Sequence, residues 1–333
     1  MTVLVIGGAG YIGSHTVDLL INKGYEVIVL DNLLTGHREA VHEEATLYVG
    51  DIRSLEDLNA VFSNKRIEAV FHFAAQSTVN ESVKNPMQYY ENNVYGTMNL
   101  LKTMESSHTK YLIFSSSAAV YGNAGKAPIP ETAPLAPLNP YGETKLAMER
   151  MITWWAASSK SKYISLRYFN AAGAKSSGEI GEDHAIETHL IPIVLQTALG
   201  RRKKMYIYGE DYPTSDGTCI RDYIHVEDLA DAHLLALTYL RNGGESNVFN
   251  LGNGSGYSVK EVIAEAEKVT HANIPISIAP KRAGDPVCLV AAAEKAQKEL
   301  LWLPKKSSLR QIINDAWKWH KYNPDGFKTI AKM

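Results

Sequence analysis

Over the first 170 residues, apolar positions come in short unbroken runs separated by amphipathic stretches. Thr2–Ile6 (TVLVI), Tyr25–Leu30 (YEVIVL), Ala45–Val49, Ile67–Phe73, Lys110–Ser115 and Lys162–Tyr168 read as buried strands. Between them, apolar residues recurring at helical spacing predict helices over Tyr11–Lys23, Ser54–Ser63, about Pro86–Ser106, and Tyr141–Ser158. In the last of these, Ala147, Met151, Trp154 and Trp155 fall at that spacing. Near-continuous apolar strands joined by helices predict a parallel sheet covered on both faces, a doubly wound α/β fold of Rossmann type.

The texture changes after Asn170. Residues 171–187 are glycine-rich and polar, and 203–222, with Pro213 and Gly217, reads as a second irregular region. Helical signals return at Val226–Leu240, where positions 226, 229, 230, 234 and 237 are apolar, and again at Glu261–Thr270 and Leu309–Tyr322. The expectation is a first domain over 1–170 and a smaller α/β lobe over 171–333, with some of its segments returning to the first. No repeat, low-complexity tract or long linker interrupts the chain.

With 333 residues, 45% of them hydrophobic, the chain is long enough for a sizeable core in two units. A net charge of −2 offers nothing to nucleic acid or to an anionic membrane. The two cysteines, Cys219 and Cys288, form no CxxC pair, which argues against a disulfide framework or zinc cage and suits a reducing compartment. The first residues already read as strand, without a leader signature, and no apolar run nears the ~20 residues of a membrane span. The expected location is the cytoplasm.

The candidate chemistry begins at residues 7–13, GGAGYIG, between the first strand and the first helix. Gly7 permits the turn, Gly10 lets a pyrophosphate approach bare backbone, and Gly13 lets helix and strand pack closely. The helix N-terminus adds free N–H groups and positive potential. Alone, such glycines are often only a turn. Asp31 ends the second strand, 18 residues past Gly13, where a carboxylate accepts from both ribose hydroxyls and repels a 2′-phosphate, favouring NAD over NADP. The bland alternative makes Asp31 a helix cap or surface acid. Asp51 and Ile52, after the third strand, are placed for the adenine end, and Phe73, Ala74 and Ala75, after the fourth, for the middle of a dinucleotide.

Tyr141 and Lys145 lie four apart on a predicted helix and so share a face. A free tyrosine, with pKa about 10, is a poor base; a nearby ammonium and a nicotinamide cation favour its phenolate. The pair therefore suits general base work beside NAD. A surface helix with a solvated lysine is the plain alternative. Ser115, Ser116 and Ser117 end the fifth strand, and Ser117, furthest past it, is the one chosen to share a substrate oxygen with the tyrosine.

These residues, with HFAA (72–75), NNVYGT (92–97), SSSAAVYG (115–122) and NPYGETK (139–145), resemble the extended short-chain dehydrogenase/reductase family. RYFNAAG (167–173), HLIP (189–192), YGEDYPTSDGTCIRDYIHVEDLADAH (208–233), FNLGNG (249–254) and RAGDP (282–286) narrow the resemblance to its UDP-hexose 4-epimerases, over nearly the whole chain. The resemblance implies an NAD-dependent C4 epimerase of UDP-glucose and UDP-galactose, working through a transient 4-ketose. Tyr141 would be the base, Ser117 would orient the hydroxyl, and Lys145 would hold ribose and depress the tyrosine pKa. Tyr11, Ile12, Asn32, Asn92, Ser115 and Tyr168 would join the cofactor site. In the lobe, Asn170, Arg221 and Arg282 would meet the diphosphate, Tyr208 would stack on uracil, and Asp285 would take ribose hydroxyls. Phe169, His189, Leu190, Tyr206 and Leu289 would complete the substrate contacts.

The sequence departs from the family at three places. Gln76 and Ser77 stand where many members carry a lysine that reaches NAD, His189 stands where the family often has Asn, and Leu289 occupies the position that gates an N-acetyl group. Leu289 is intermediate in size, which leaves UDP-GlcNAc/UDP-GalNAc as further substrates to test. The family also implies a homodimer through the helices near 86–106 and 141–158. Without the resemblance, Arg221 reads equally well as an ion-pair partner of Asp222 or Asp228, and His225 as a packed structural histidine. His184 and His189 flank the substrate loop, but the sequence offers no convincing Cys or acid to complete a metal set, so no metal is expected. Trp317 and Trp319 read as core or interface.

Two other functions compete. A dehydratase of the family carries Thr-Asp-Glu where this chain has Ser117-Ala118-Ala119, and a decarboxylase wants a cationic pocket that is not evident. A non-catalytic NAD-binding protein on the same fold is opposed by the complete Ser117/Tyr141/Lys145 set.

Overall fold

The computed structural model describes residues 1–282 and 285–327. β1 (Thr2–Ile6), α1 (Tyr11–Asn22), β2 (Glu26–Asp31), β3 (Thr46–Val49), α2 (Leu55–Asn64) and β4 (Ala69–His72) follow the hydrophobic pattern to within two residues. A short helix that the pattern does not announce, α3 (Val79–Lys84), comes next. The stretch expected as one helix over 86–106 is three pieces: α4 (Pro86–Tyr89), a π-helical segment over Tyr90–Tyr95, and α5 (Gly96–Ser106). Widened turns of this kind re-aim side chains within a helix, and this one carries Asn92 and Asn93. Then follow β5 (Tyr111–Ser117), a 3₁₀ turn over Ala118–Tyr121, α6 (Pro140–Ser159) and β6 (Lys162–Tyr168).

The second half holds β7 (Asn170–Ala172), α7 (Leu190–Ala198), β8 (Met205–Tyr208), β9 (Ile220–Arg221), β10 (Tyr223–His225) and α8 (Val226–Arg241). It continues with β11 (Asn247–Leu251), β12 (Tyr257–Ser258), α9 (Val259–Thr270), β13 (Ile276–Ala279), β14 (Cys288–Leu289), α10 (Glu294–Glu299) and α11 (Leu309–Tyr322). Residues 203–222 are thus not wholly irregular. β8 pairs in parallel with β13, and β9 lies between β14, parallel, and β12, antiparallel, so their partners lie from about 36 to 71 residues on, beyond the reach of any local pattern.

Seven parallel strands form the main sheet in the order β11-β6-β5-β4-β1-β2-β3. The first six follow the doubly wound order, with the reversal between β1 and β4, where such sheets bind ligands beyond their strand ends. β11 joins from late in the chain, pairing Asn247–Leu251 with Ile164–Tyr168 of β6. One face of the sheet buries Val3, Val5, Val29 and Phe71 with Val17 and Leu20 of α1 and Leu229, Ala236 and Leu237 of α8. The other buries Leu4, Ile6, Val70 and Phe114 with Leu58, Leu100, Met104, Met148 and Ile152 of α2, α5 and α6. A separate core, with Val194, Ile207, Val262, Ile312 and Ile313, joins α7, β8, α9 and α11. Among the described residues, no helix is long and apolar enough to cross a membrane.

Candidate active site

Because every strand of the main sheet runs in parallel, the segments after β1, β2, β3, β4, β5 and β6 emerge along one edge. That edge gathers Gly7–Gly13, Asp31, Asp51, Phe73–Ala75, Ser115–Ser117 and Tyr168. Gly7 has φ +81°, and a Cβ there would meet Ala74 N at 2.6 Å; a Cβ on Gly13 would lie 2.1 Å from Gly7 O. These two glycines are required by the fold itself. Gly10 is different. It caps α1 with no side-chain hydrogen bond, and its added Cβ would meet only Gly7 O, at 3.5 Å. The protein alone leaves room for a side chain at Gly10, so its bareness fits a ligand laid against the helix N-terminus.

Asp31 is 9% exposed, and its carboxylate accepts from Ala9 N (3.0 Å) and Leu33 N (2.8 Å). Burial raises its pKa, and the two N–H groups oppose that rise. It therefore braces the glycine loop while standing at the end of β2. Asn32 donates to Asp51 (3.1 Å), and Arg53 grips Asp51 through Nε (2.9 Å) and Nη2 (2.8 Å). The Arg53 hydrogen bonds hold the Asp51 carboxyl down at about 2. Ile52 is buried beneath Gly96, so it offers a ligand only main chain. Tyr11 sends its hydroxyl to Gly173 O (2.7 Å), tying α1 to the lobe. Phe73 packs on His233 with ring centres 4.6 Å apart.

The sequence NPYGETK makes the start of α6. Asn139 Oδ1 accepts from Gly142 N (2.9 Å), and Pro140 occupies the first turn. Such a cap is worth ~1 kcal/mol. A Cβ on Gly142 would sit 2.6 Å from Ala119 O, so the glycine lets α6 close against the turn that follows Ser117. Tyr141 and Ser117 become neighbours as a result. Burial raises the Tyr141 pKa, and a hydrogen bond with Ser117 works against that rise. Ser117 Oγ also accepts from Ala119 N (3.1 Å). Lys145 is 2% exposed and donates to Ser115 O at 2.7 Å. Burial lowers its pKa to about 7, with Glu149 one turn on opposing. Tyr168 shares a hydrogen bond with Ser115 Oγ (2.5 Å).

Sequence reasoning overlooked what stands behind this row. Asn92, the residue it selected, donates to the side chain of Asn93. Asn93 is the connector: it accepts from Gln76 N (2.8 Å) and donates to Gln76 O (3.1 Å) and Thr144 Oγ1 (3.0 Å). The loop after β4 is thereby tied to α6 between Tyr141 and Lys145. The only trace in the sequence is the Asn-Asn doublet; both side chains are buried within the π turn. Behind Lys145, Glu149 pairs with Arg167 through Nε (2.9 Å) and Nη2 (2.6 Å), and Arg167 Nη1 donates to the Tyr121 hydroxyl (2.9 Å).

In the lobe, Arg221 pairs with Asp285, so neither Asp222 nor Asp228 is its partner. Asp222 instead accepts from Asn253, Gly254 and Ala291 N–H groups, and Asp228 from Lys305 N, Lys306 N and Ser307 Oγ. The Arg282 guanidinium covers the Tyr208 ring at 4.0 Å, while Tyr206 and Tyr208 remain partly exposed. Asn170 Nδ2 donates to Asp222 O (2.8 Å). Phe169 and Leu289 pack on the cluster of Ala118, Tyr121 and Leu146, which sets Leu289 against the Ser117 turn. His225 is fully buried, facing Asp315 at 3.1 Å. Trp319 is buried in α11, and Trp317 packs on the lobe core. His189 caps α7 ahead of Leu190 and turns Nδ1 to Glu182, not to the Arg221 and Asp285 pair. Glu182 and Glu187 are the acids that the sequence reading found wanting around His184 and His189.

A doubly wound parallel sheet, a bare glycine loop at its reversal point, and a serine–tyrosine–lysine row beside it define a dinucleotide-dependent α/β enzyme of the short-chain dehydrogenase type. The chain belongs to the NAD dependent epimerase/dehydratase family, whose profile matches residues 3–252. It is 56% identical over 332 residues to a UDP-glucose 4-epimerase of Halalkalibacterium halodurans, covering 100% of this chain and 99% of that one. A crystal structure of a UDP-glucose 4-epimerase superposes with a TM-score of 0.97 at 52% identity, covering 99% of this chain and 100% of the other. That of the Bifidobacterium longum UDP-glucose 4-epimerase, in complex with NAD+ and UDP, gives a TM-score of 0.93 at 41% identity, covering 98% and 100%.

Proposed function

We propose that this chain is an NAD-dependent C4 epimerase that interconverts UDP-glucose and UDP-galactose through a transient 4-ketose. The observation that carries the reading is the close approach of the start of α6, with Tyr141, to the turn after Ser117, permitted by Gly142 against Ala119 O, with Ala118 and Ala119 following the serine. The pair can move a proton at a sugar hydroxyl, and its neighbours offer no acid for elimination. The high identity to named epimerases over the full chain supports the same choice over a dehydratase or decarboxylase.

The residues fit NAD. Gly7, Gly10 and Gly13 with the Tyr11 and Ile12 N–H groups would hold the pyrophosphate, and Asp31 and Asn32 the adenosine ribose. Asp51 and Ile52 would meet adenine. Phe73, Ala74, Ala75, Asn92, Ser115 and Tyr168 would line the rest, and Lys145 would meet the second ribose. NAD, when bound, accepts and returns a hydride at sugar C4 and brings positive charge beside the phenol. Tyr141 takes the C4 hydroxyl proton and later returns one. Ser117 holds that oxygen in place. Lys145 fixes the end of β5 against α6. Burial of the row keeps water from the ketose.

The UDP tail must anchor a sugar that turns over. Arg221, Arg282 and Asn170 would meet the diphosphate, Tyr208 uracil, and Asp285 ribose. The Arg221–Asp285 pair keeps both groups ordered until substrate separates their roles. Leu289, against the Ser117 turn, sets the room beside the sugar.

The working form is a cytoplasmic homodimer, with residues 1–170 carrying NAD and 171–333 mainly the UDP-sugar. Trp154 is 78% exposed, Met87 70%, and an apolar groove between α5 and α6 is lined by Met98, Leu101, Met151 and Trp155. Such a patch on α5 and α6 supports a second copy packed there.

The direct test offers UDP-glucose and UDP-GlcNAc separately to the purified protein and identifies products by NMR. UDP-galactose must appear from the first. A dehydrated product, or no product from UDP-glucose while UDP-glucuronate offered in parallel is decarboxylated, would overturn the reading.

A further inference from the structure

The loop between β7 and α7 carries Glu182-x-His184-x-x-Glu187-x-His189. In the fold these four side chains converge, with one ligand atom from each within 4.8 Å of the others. The carboxylates of Glu182 and Glu187 are each 3% exposed, well inside the range where an unbalanced charge is costly. Each imidazole Nδ1 lies near both acids, His189 Nδ1 also 3.8 Å from Glu187 Oε1. Both imidazoles aim Nδ1 at the same atom, Glu182 Oε1: His184 at 3.2 Å and His189 closer still. Glu187 Oε2 lies 3.6 Å from His184 Nδ1, and its Oε1 is held by Thr188 N and His189 N, both at 2.7 Å. Two nitrogens and two carboxylate oxygens pointing at one spot form the donor set of a tetrahedral cation, whose ligand atoms stand ~3.4 Å apart.

We propose that Glu182, His184, Glu187 and His189 form a structural zinc site. Two neutral imidazoles select against magnesium and calcium, and two carboxylates balance the charge of a divalent ion. The ion replaces the protons that otherwise neutralise the acids. The supporting shell is already built. Trp319 Nε1 donates to Glu182 O at 3.0 Å and its indole packs on Gly181, where a Cβ would lie 2.3 Å from the ring. Phe327 N donates to Asp183 Oδ2 at 2.8 Å. The ligand backbone is thus pinned to α11. The imidazoles are partly open to solvent, and a cavity of about 270 Å³ beside them gives the ion a way in. Its role is positional: it locks the loop that delivers Leu190 and α7. It also explains why His189 turns toward Glu182.

The test uses the full chain, stripped with EDTA and titrated with ZnCl2 by calorimetry, with no sugar or NAD present, so its outcome is independent of the proposed epimerase activity. One equivalent of zinc should bind per chain and raise the melting temperature. CoCl2 should give the visible absorption of tetrahedral N/O ligation. His184→Ala and Glu187→Gln should each weaken zinc binding at least ~100-fold. Failure of the wild-type chain to bind one equivalent overturns the site, as does octahedral cobalt absorption. So does equal binding by wild type and both variants.

Discussion

Lys145 Nζ rests on Ser115 O at 2.7 Å and lies 6.0 Å from the centre of the Tyr141 ring, although the two residues share one face of α6. The lysine therefore acts first as a brace between β5 and α6. Burial raises the pKa of the Tyr141 phenol, and Ser117 works against that rise. A nicotinamide cation bound beside it would add positive charge that favours the phenolate. Tyr141→Phe should keep fold and NAD affinity while losing ~10²- to 10⁴-fold in kcat. Turnover assay and NAD calorimetry on one preparation check both halves; undiminished turnover removes Tyr141 from the role.

Asp31 sits between the glycine loop, through Ala9 N, and the turn at Leu33. If Asp31 takes the ribose as proposed, removing this buried acceptor in Asp31→Ala should weaken NAD ~10- to 100-fold. Calorimetry reads it directly, and unchanged affinity would take Asp31 out of the cofactor site.

Glu149 and Arg167 are side chains 7% and 5% exposed, joined by two hydrogen bonds behind Lys145. Arg167→Met leaves the Glu149 carboxylate buried without its partner, at a cost of ~3–5 kcal/mol. Glu149→Leu combined with Arg167→Met should recover much of that loss. Urea unfolding of the two variants decides; equal losses would mean that packing, not charge, governs the site.

Asp51, held down at about 2 mainly by the Arg53 hydrogen bonds, contributes stability above the ordinary aspartate pKa and loses it as pH falls through 2. The carboxylate is only partly shielded, so screening keeps the contribution to about 1 kcal/mol or less. In Asp51→Asn the acid limb of stability against pH, between about 4 and 2, should flatten. A limb of the same slope would assign it to other carboxylates.

Trp154 stands out from α6 beside the groove over α5. Trp154→Glu puts a charge at the centre of the proposed dimer face and should shift sedimentation to a monomer, with the circular dichroism spectrum unchanged. A dimer that persists would place the interface elsewhere.

Much of this was legible in the chain itself. The strands of the first half, the glycine loop, Asp31 and the Tyr141/Lys145 pair are local signals: unbroken apolar runs, glycines at fixed spacing, and residues four apart on a helix. Each depends on backbone geometry over a few residues, so the sequence determines it. What the sequence could not reach were β8 and β9, whose partners come from β12, β13 and β14, and Asn93, which ties the loop after β4 to α6. The Arg221–Asp285 pairing and the gathering of Glu182, Glu187, His184 and His189 were equally out of reach. Spacing alone does not say which side chains face one another across a loop. Only long-range packing, here of α11 against that loop and of the lobe against the sheet, brings distant charges within hydrogen-bond distance and decides their partners.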